Sequence, residues 1–259
     1  MRKLLLTISF AFAAAPVAAD VISVAPRDVD GLVAAIEQAN RSPGEDIIEL
    51  APGSLYALRT ASDADGTQAL PTIRSRIRIL GNKAEIRRYC DQPLLLLSIA
   101  PAGSLRLEHL TLAEGARGAI VNRGEVELYH VRVMDNTTVG AESIISNYGT
   151  LRARDSEISY NQIAGAQRDA GIVLNYGRLD LAGSLLSANT VSRRYGSLVS
   201  ASAVLNYGEA VLRNVRVTGN AVDDGLDGEG AAQPLVNLGN GALHSSGLTL
   251  SDNFPSGTD

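Results

Sequence analysis

The sequence predicts an all-β solenoid of short parallel strands, entered through one amphipathic helix. Three observations predict it. The tripeptide Asn-x-Gly recurs at Asn122-Arg123-Gly124, Asn147-Tyr148-Gly149, Asn175-Tyr176-Gly177, Asn206-Tyr207-Gly208 and Asn237-Leu238-Gly239, at spacings typical of solenoid repeats. A second Asn follows the first four copies at a constant interval (Asn136, Asn161, Asn189, Asn220), and Asn253 follows the fifth slightly later. Positions that become neighbours when the copies are stacked set opposite charges side by side: Glu127, Arg152, Asp180, Val211 in one series, Glu125, Thr150, Arg178, Glu209 in a second, and Arg132, Glu157, Leu185, Arg216 in a third. Like charges at strand spacing repel and opposite ones attract, so the third observation supports the stacking independently of the first two.

The chain opens on Met1-Arg2-Lys3, an apolar run from Leu4 to Ala15, and Pro16-Val17-Ala18-Ala19 before Asp20. A basic start, a short apolar stretch and small residues mark a signal peptide cleaved after Ala19, and the run is too short to span a bilayer. The expected mature protein is one domain over residues 20–259, secreted or periplasmic, with no membrane span. Lys and Arg number 23 against 28 Asp and Glu, and loss of Arg2 and Lys3 with the leader moves the net charge from −5 to −7. An acidic chain of this kind argues against nucleic acid as partner. Cys90 is the single cysteine, which excludes an intrachain disulfide and reads as a buried thiol. Phe10 and Phe12 leave with the leader and Trp is absent, so the core must be aliphatic.

Over residues 28–40, Leu32, Ala35, Ile36 and Ala39 share one helical face, and Asp28 or Asp30 can serve as N-cap. A solenoid exposes its core at its ends, so this helix is expected to cover the first turn. From about 47 to 253 the pattern changes to short strands separated by Gly, Pro and Asn, as in Ile47–Leu50, Ile77–Leu80, Leu105–Leu107 and Leu110–Leu112. In each repeat the Gly precedes an alternating strand such as Glu125-Val126-Glu127-Leu128, and a shorter strand such as Val131-Arg132-Val133 precedes the second Asn. Two or three strands per turn and seven or eight turns are expected. The two Asn series predict two ladders of side-chain amides, and the Gly of Asn-x-Gly is expected to supply a positive φ at its corner.

These features resemble the secreted bacterial right-handed parallel β-helix proteins of the pectin lyase-like superfamily. The resemblance runs from the helix through Gly44-Glu45-Asp46-Ile47-Ile48-Glu49-Leu50-Ala51-Pro52-Gly53 and Ile77-Arg78-Ile79-Leu80-Gly81-Asn82 to the Asn-x-Gly units. It implies a single-stranded, right-handed winding with an N-terminal helical cap. It does not select a function, because such folds carry enzymes, adhesins and binding proteins alike.

Three groups of residues could carry chemistry. Tyr148, Tyr176 and Tyr207 occupy the middle of three consecutive Asn-x-Gly units, with Arg123 before and Leu238 after; an exposed aromatic column is a platform for sugar or protein. Arg152, Arg154 and Asp155 crowd one turn, with Asp180 on the next; a lyase acting on an acidic sugar needs carboxylates to hold calcium and a base beside them. Asp223, Asp224, Asp227 and Glu229 form an acidic, Gly-rich loop that could hold calcium. His109, His130 and His244 are too scattered along the chain to read as a metal set. The expected function is a non-catalytic scaffold that binds a polysaccharide or surface glycan, or a protein at an exposed C-terminal end; the alternative is a calcium-assisted acidic-polysaccharide lyase or hydrolase.

Overall fold

The structure is a computed structural model that describes residues 20–140, 142–167, 169–193, 201–223 and 233–255. Residues 1–19, Asp224, Asp227 and Glu229 lie outside the described residues, and Asp223 closes the strand Ala221–Asp223. The chain is a parallel β-solenoid. From Ile120 onward each turn holds four short strands on four faces, exemplified by Ile120–Asn122, Glu125–Tyr129, Arg132–Met134 and Thr137–Val139. We call these the first to fourth faces. The strand beyond the second Asn, on the fourth face, exceeds the expected two or three per turn; it is so short that alternation does not reveal it. On the second face eight levels stack in parallel, from Glu45–Leu50 to Ala242–Ser246, and so enclose seven turns. At about 4.8 Å per level the stack is roughly 34 Å long. In the early turns the second and third faces share single bent strands, Arg76–Arg88 and Ser104–Ala113, which merges segments that read as separate in the sequence.

Alternation places Val126 and Leu128, Leu151 and Ala153, Leu179 and Leu181, and Ala210 and Leu212 inside, all at 0–1% exposure. Together with Val133, Ile158, Leu186 and Val217 of the third face they form one continuous aliphatic cluster. The helix Val29–Ala39 contributes Leu32, Ala35, Ile36 and Ala39 to that cluster, and Asp28 caps it by accepting from the Gly31 N–H at 2.8 Å. It touches the strands Val21–Val24, Glu45–Leu50, Leu55–Leu58 and Arg76–Arg88. At the other end Leu250 is 48% exposed, whereas Val217, its partner one turn earlier, is fully buried. Cys90 is half-buried against the cluster rather than enclosed in it.

Both amide ladders are present. Asn122, Asn147, Asn175, Asn206 and Asn237 are in register, and each Nδ2 donates to the next Oδ1 at 2.7, 2.6, 2.6 and 2.7 Å. Asn136, Asn161, Asn189, Asn220 and Asn253 do the same at 3.0, 2.9, 2.8 and 2.9 Å. In this second ladder each accepting oxygen also takes the preceding Asn's backbone N–H, as at Asn136, Asn161, Asn189 and Asn220. All but the last amide of each ladder, Asn237 and Asn253, are buried, so the bonds between them satisfy polar atoms that water cannot reach.

The glycines act differently from expectation. Of the five Asn-x-Gly glycines only Gly239 has the expected positive φ, at 60°, whereas Gly124, Gly149, Gly177 and Gly208 do not. A Cβ at Gly149 would lie 2.0 Å from the Gly124 carbonyl oxygen, and one at Gly177 2.0 Å from that of Gly149; the corner is too tight for any side chain. Left-handed backbone falls on two other columns. One is the corner between the second and third faces, where His109, His130, Asp155, Gly183, Asn214 and Gly247 have φ between 48° and 63°. The other immediately precedes the second ladder: Asp135, Tyr160, Ala188, Gly219 and Asp252. Asn, Asp, His and Gly bear this geometry most readily, and they fill most of both columns.

Candidate functional site

The predicted tyrosine column forms. Each tyrosine follows a ladder Asn at the corner between the first and second faces, so the register that aligns the amides also aligns the rings. Tyr148 and Tyr176 stack with centroids 5.4 Å apart and planes 4° from parallel; Tyr176 and Tyr207 follow at 4.9 Å and 9°. The Arg123 guanidinium lies 5.7 Å from the Tyr148 centroid and extends the column by one level. Because the rings face one another, they present edges and hydroxyls to solvent rather than open faces. Tyr148 and Tyr176 are about half exposed.

Arg123 and Tyr148, the first two members of this column, line a trough of about 300 Å³ on the first face. Its floor is the outward column of that face, Ser98, Val121, Ser146 and Leu174, which the register places on successive levels. The opposite wall includes Arg117, whose guanidinium bonds Glu142 at 2.6 Å, and Gln68. The trough therefore runs along the solenoid axis with hydroxyls and charges on both sides. Two levels beyond Tyr148, the Tyr207 hydroxyl donates to the Asp169 carboxylate. Burial first, then the bond to Asp169, push the Tyr207 phenol above its ordinary value. Tyr176 is raised as well, by burial and then by Tyr148 and Asp169.

Arg152, Arg154 and Asp155 are brought into a second setting, together with residues that sequence reasoning missed. A groove of about 320 Å³ on the second face is lined by Arg106, Glu127, Leu128, Tyr129, Arg152 and Arg154. Arg106 and Arg152 both approach Glu127, at 3.5 and 3.6 Å. Among the described residues no carboxylate lies within ion-pairing distance of Arg154. At the groove's edge His109 and His130 stack at 4.8 Å, and Tyr129 meets His130 edge-on at 4.3 Å. Asp155 occupies the next position of the same corner column, since the His130 N–H donates to the Arg154 carbonyl one level on. A signal existed: Glu108-His109-Leu110 and Tyr129-His130-Val131 align when Leu105 and Leu107 are set against Val126 and Leu128.

The charge ladders persist beyond the groove. Glu108 is held by Arg78 at 2.7 and 3.0 Å and by Arg106 at 2.5 Å. Hydrogen bonding to Arg78, which outweighs the opposing effect of burial, and then Arg106 hold its carboxyl below the usual carboxylate range. Asp180 stands in register with Arg152 but is bonded to Arg213 at 2.6 Å, and Arg132 pairs with Glu157 at 3.2 Å.

For calcium, the carboxylates near Arg152 do not fit. Asp180 already serves Arg213, Asp155 lies on a different column, and no cluster of three metal-ligating side chains occurs among the described residues. No helix among the described residues is long and apolar enough to cross a membrane.

Compared with protein-family models and with curated protein sequences, the chain matches none. Among solved structures it is similar to an alginate lyase from Paenibacillus sp. str. FPU-7, at 16% identity and a TM-score of 0.36, over 92% of this chain and 98% of that one. A likeness of this degree says nothing about the chemistry, so the functional reading rests on side-chain geometry.

Proposed function

We propose that the protein is an exported, non-catalytic scaffold that binds a surface glycan in the first-face trough, with Tyr148 and Tyr176 as the principal contacts. One observation carries the reading: a trough floored by Ser98 and Ser146 is lined by Tyr148, the first ring of an aligned column of phenols that continues with Tyr176. A sugar chain offers hydroxyls along its length, and a row of polar groups repeated at each level can bond it repeatedly. The Tyr207 hydroxyl is already engaged with Asp169, so it is not counted among the contacts. The test is binding of residues 20–259 to a panel of neutral and acidic polysaccharides. Tyr148→Ala with Tyr176→Ala should weaken the best ligand at least about ten-fold, equivalent to about 1.4 kcal/mol. Undiminished binding by the double variant would refute the assignment of the ridge.

A second reading is favoured by the basic groove, where guanidiniums, a phenol and stacked imidazoles converge. Arg152 and Arg154 could neutralise a uronate carboxylate while Tyr129 or His130 moves the proton α to it. Calcium has no part in this reading, for the described carboxylates do not assemble around a cation. Appearance of unsaturated sugar ends, abolished by Arg154→Ala, would establish cleavage and displace the non-catalytic account.

A further inference from the structure

Among the described residues two carboxylates lie buried, those of Glu108 and Asp46. Glu108 is met by the guanidiniums of Arg78 and Arg106, whereas no Lys, Arg or His among the described residues pairs with Asp46. Alternation along Glu45–Leu50 turns Asp46 to the same side as Ile48 and Leu50, where it is 1% exposed. Its Oδ1 accepts a long bond of 3.3 Å from the Asp20 backbone nitrogen, and its Oδ2 has no hydrogen-bond partner. A buried charge is ordinarily paired, so the site is incomplete as it stands. Asp20 is held in place beside it. The strand Val21–Val24 runs parallel to Glu45–Leu50 with Val21 opposite Ile47, and the Asp20 carbonyl accepts from the Ile47 N–H at 2.8 Å. The nitrogen aimed at the buried carboxylate is therefore the one that heads the mature chain when the leader is cut after Ala19.

We infer that leader removal completes this site: the new α-ammonium of Asp20 pairs with the Asp46 carboxylate and fastens the entering strand to the first turn, which makes processing a structural switch. This rests on cleavage after Ala19, the expectation drawn from the leader, and not on the glycan reading. A leader peptidase adds water across the Ala19–Asp20 bond. Ala19 leaves with a carboxylate, and the Asp20 nitrogen, an amide with one hydrogen in the precursor, becomes an ammonium with three. One hydrogen serves Oδ1 as before, the others are free for Oδ2 of the same carboxylate, and the positive charge offsets the buried negative one. A retained Ala19 would move the ammonium about 3.8 Å along the chain and return Asp20 to a single amide hydrogen.

Two chains that differ by one residue test it: residues 20–259 and residues 19–259, each released from a fusion so that its first residue carries a free amine. Urea unfolding should find the chain that starts at Asp20 the more stable, with an unfolding constant lower by about ten-fold or more. Asp46→Asn removes the buried charge and should erase the difference between the two chains, whatever it does to their common stability. Equal stability of the two chains overturns the inference, and so does a difference that survives Asp46→Asn. Should Asp46→Asn fail to fold, α-acetylation of Asp20 in the 20–259 chain removes the opposite charge instead. Acetylation should lower stability to that of the 19–259 chain, and unchanged stability overturns the inference. Mass spectrometry of the full chain after export reads the cleavage site separately: a first residue other than Asp20 refutes the cleavage reading, and the switch with it, however the two chains behave.

Discussion

Replacing Asn189 by Ala probes how much a buried amide ladder contributes. Asn189 is 1% exposed. Its Oδ1 accepts from the Asn161 backbone N–H at 3.0 Å and from Asn161 Nδ2 at 2.9 Å, while its Nδ2 donates to Asn220 Oδ1 at 2.8 Å and to the Ile158 carbonyl at 2.9 Å. Asn220 Oδ1 keeps a second donor, the Asn189 backbone N–H at 3.1 Å. The substitution therefore leaves two buried donors on Asn161 without that acceptor, and at about 1–3 kcal/mol for each the loss should total about 3 kcal/mol. Asn189→Asp retains both acceptances but turns a second oxygen toward Asn220 Oδ1 and the Ile158 carbonyl, so it should be worse than Ala at neutral pH and recover as the carboxyl is protonated. Urea unfolding followed by circular dichroism measures both, with Asn253→Ala as a control at the partly open last level, where water can replace the lost partner. A loss below about 1 kcal/mol for Asn189→Ala, or an Asp variant no worse than Ala, would refute the reasoning.

Other outcomes follow from the same geometry. Gly177→Ala should destabilise by about 3 kcal/mol because its Cβ would meet the Gly149 carbonyl oxygen at 2.0 Å, whereas the more open Gly219→Ala should cost less despite its φ of 63°; the same urea titration checks the order. Glu108 has a depressed carboxyl, so its contribution is present above the ordinary carboxylate range and disappears as the pH falls through its lowered value. Glu108→Gln should thus lower stability at neutral pH and flatten the acid limb of a stability–pH curve. If the helix Val29–Ala39 protects the first turn, Leu32→Ser with Ile36→Ser should raise amide exchange first in Glu45–Leu50 and leave Arg178–Ala182 unchanged; uniform loss of protection would contradict that role.

The stacking was legible because its signal repeats. Asn122 to Asn237 and Asn136 to Asn253 recur at each turn, and a buried polar side chain recurs only where a like neighbour satisfies it. The role of the corner glycines was not legible, since a sequence shows that a Cβ is excluded but not whether φ or the neighbouring carbonyl excludes it. The tyrosine column followed from the same register, but its stacked orientation depends on χ angles that spacing leaves open. Arg152, Arg154 and Asp155 were found as a local crowd. Their neighbours His109 and His130 were not, because His109 lies before the first Asn-x-Gly unit and outside the series that reveals the period. Asp169 was also missed: it falls in the interval of variable length between units, where no repeat aligns it with Tyr207.

The two ladders also have a direction. In both, the amide nitrogen of one turn donates to the oxygen of the next, from Asn122 toward Asn237 and from Asn136 toward Asn253. Their amide dipoles add head to tail, with the positive pole at the C-terminal end, and successive bonds polarise one another. The molecule is thus electrically a vector as well as a stack. A growing solenoid presents donors at its advancing edge, and each new turn is admitted by the oxygen it brings.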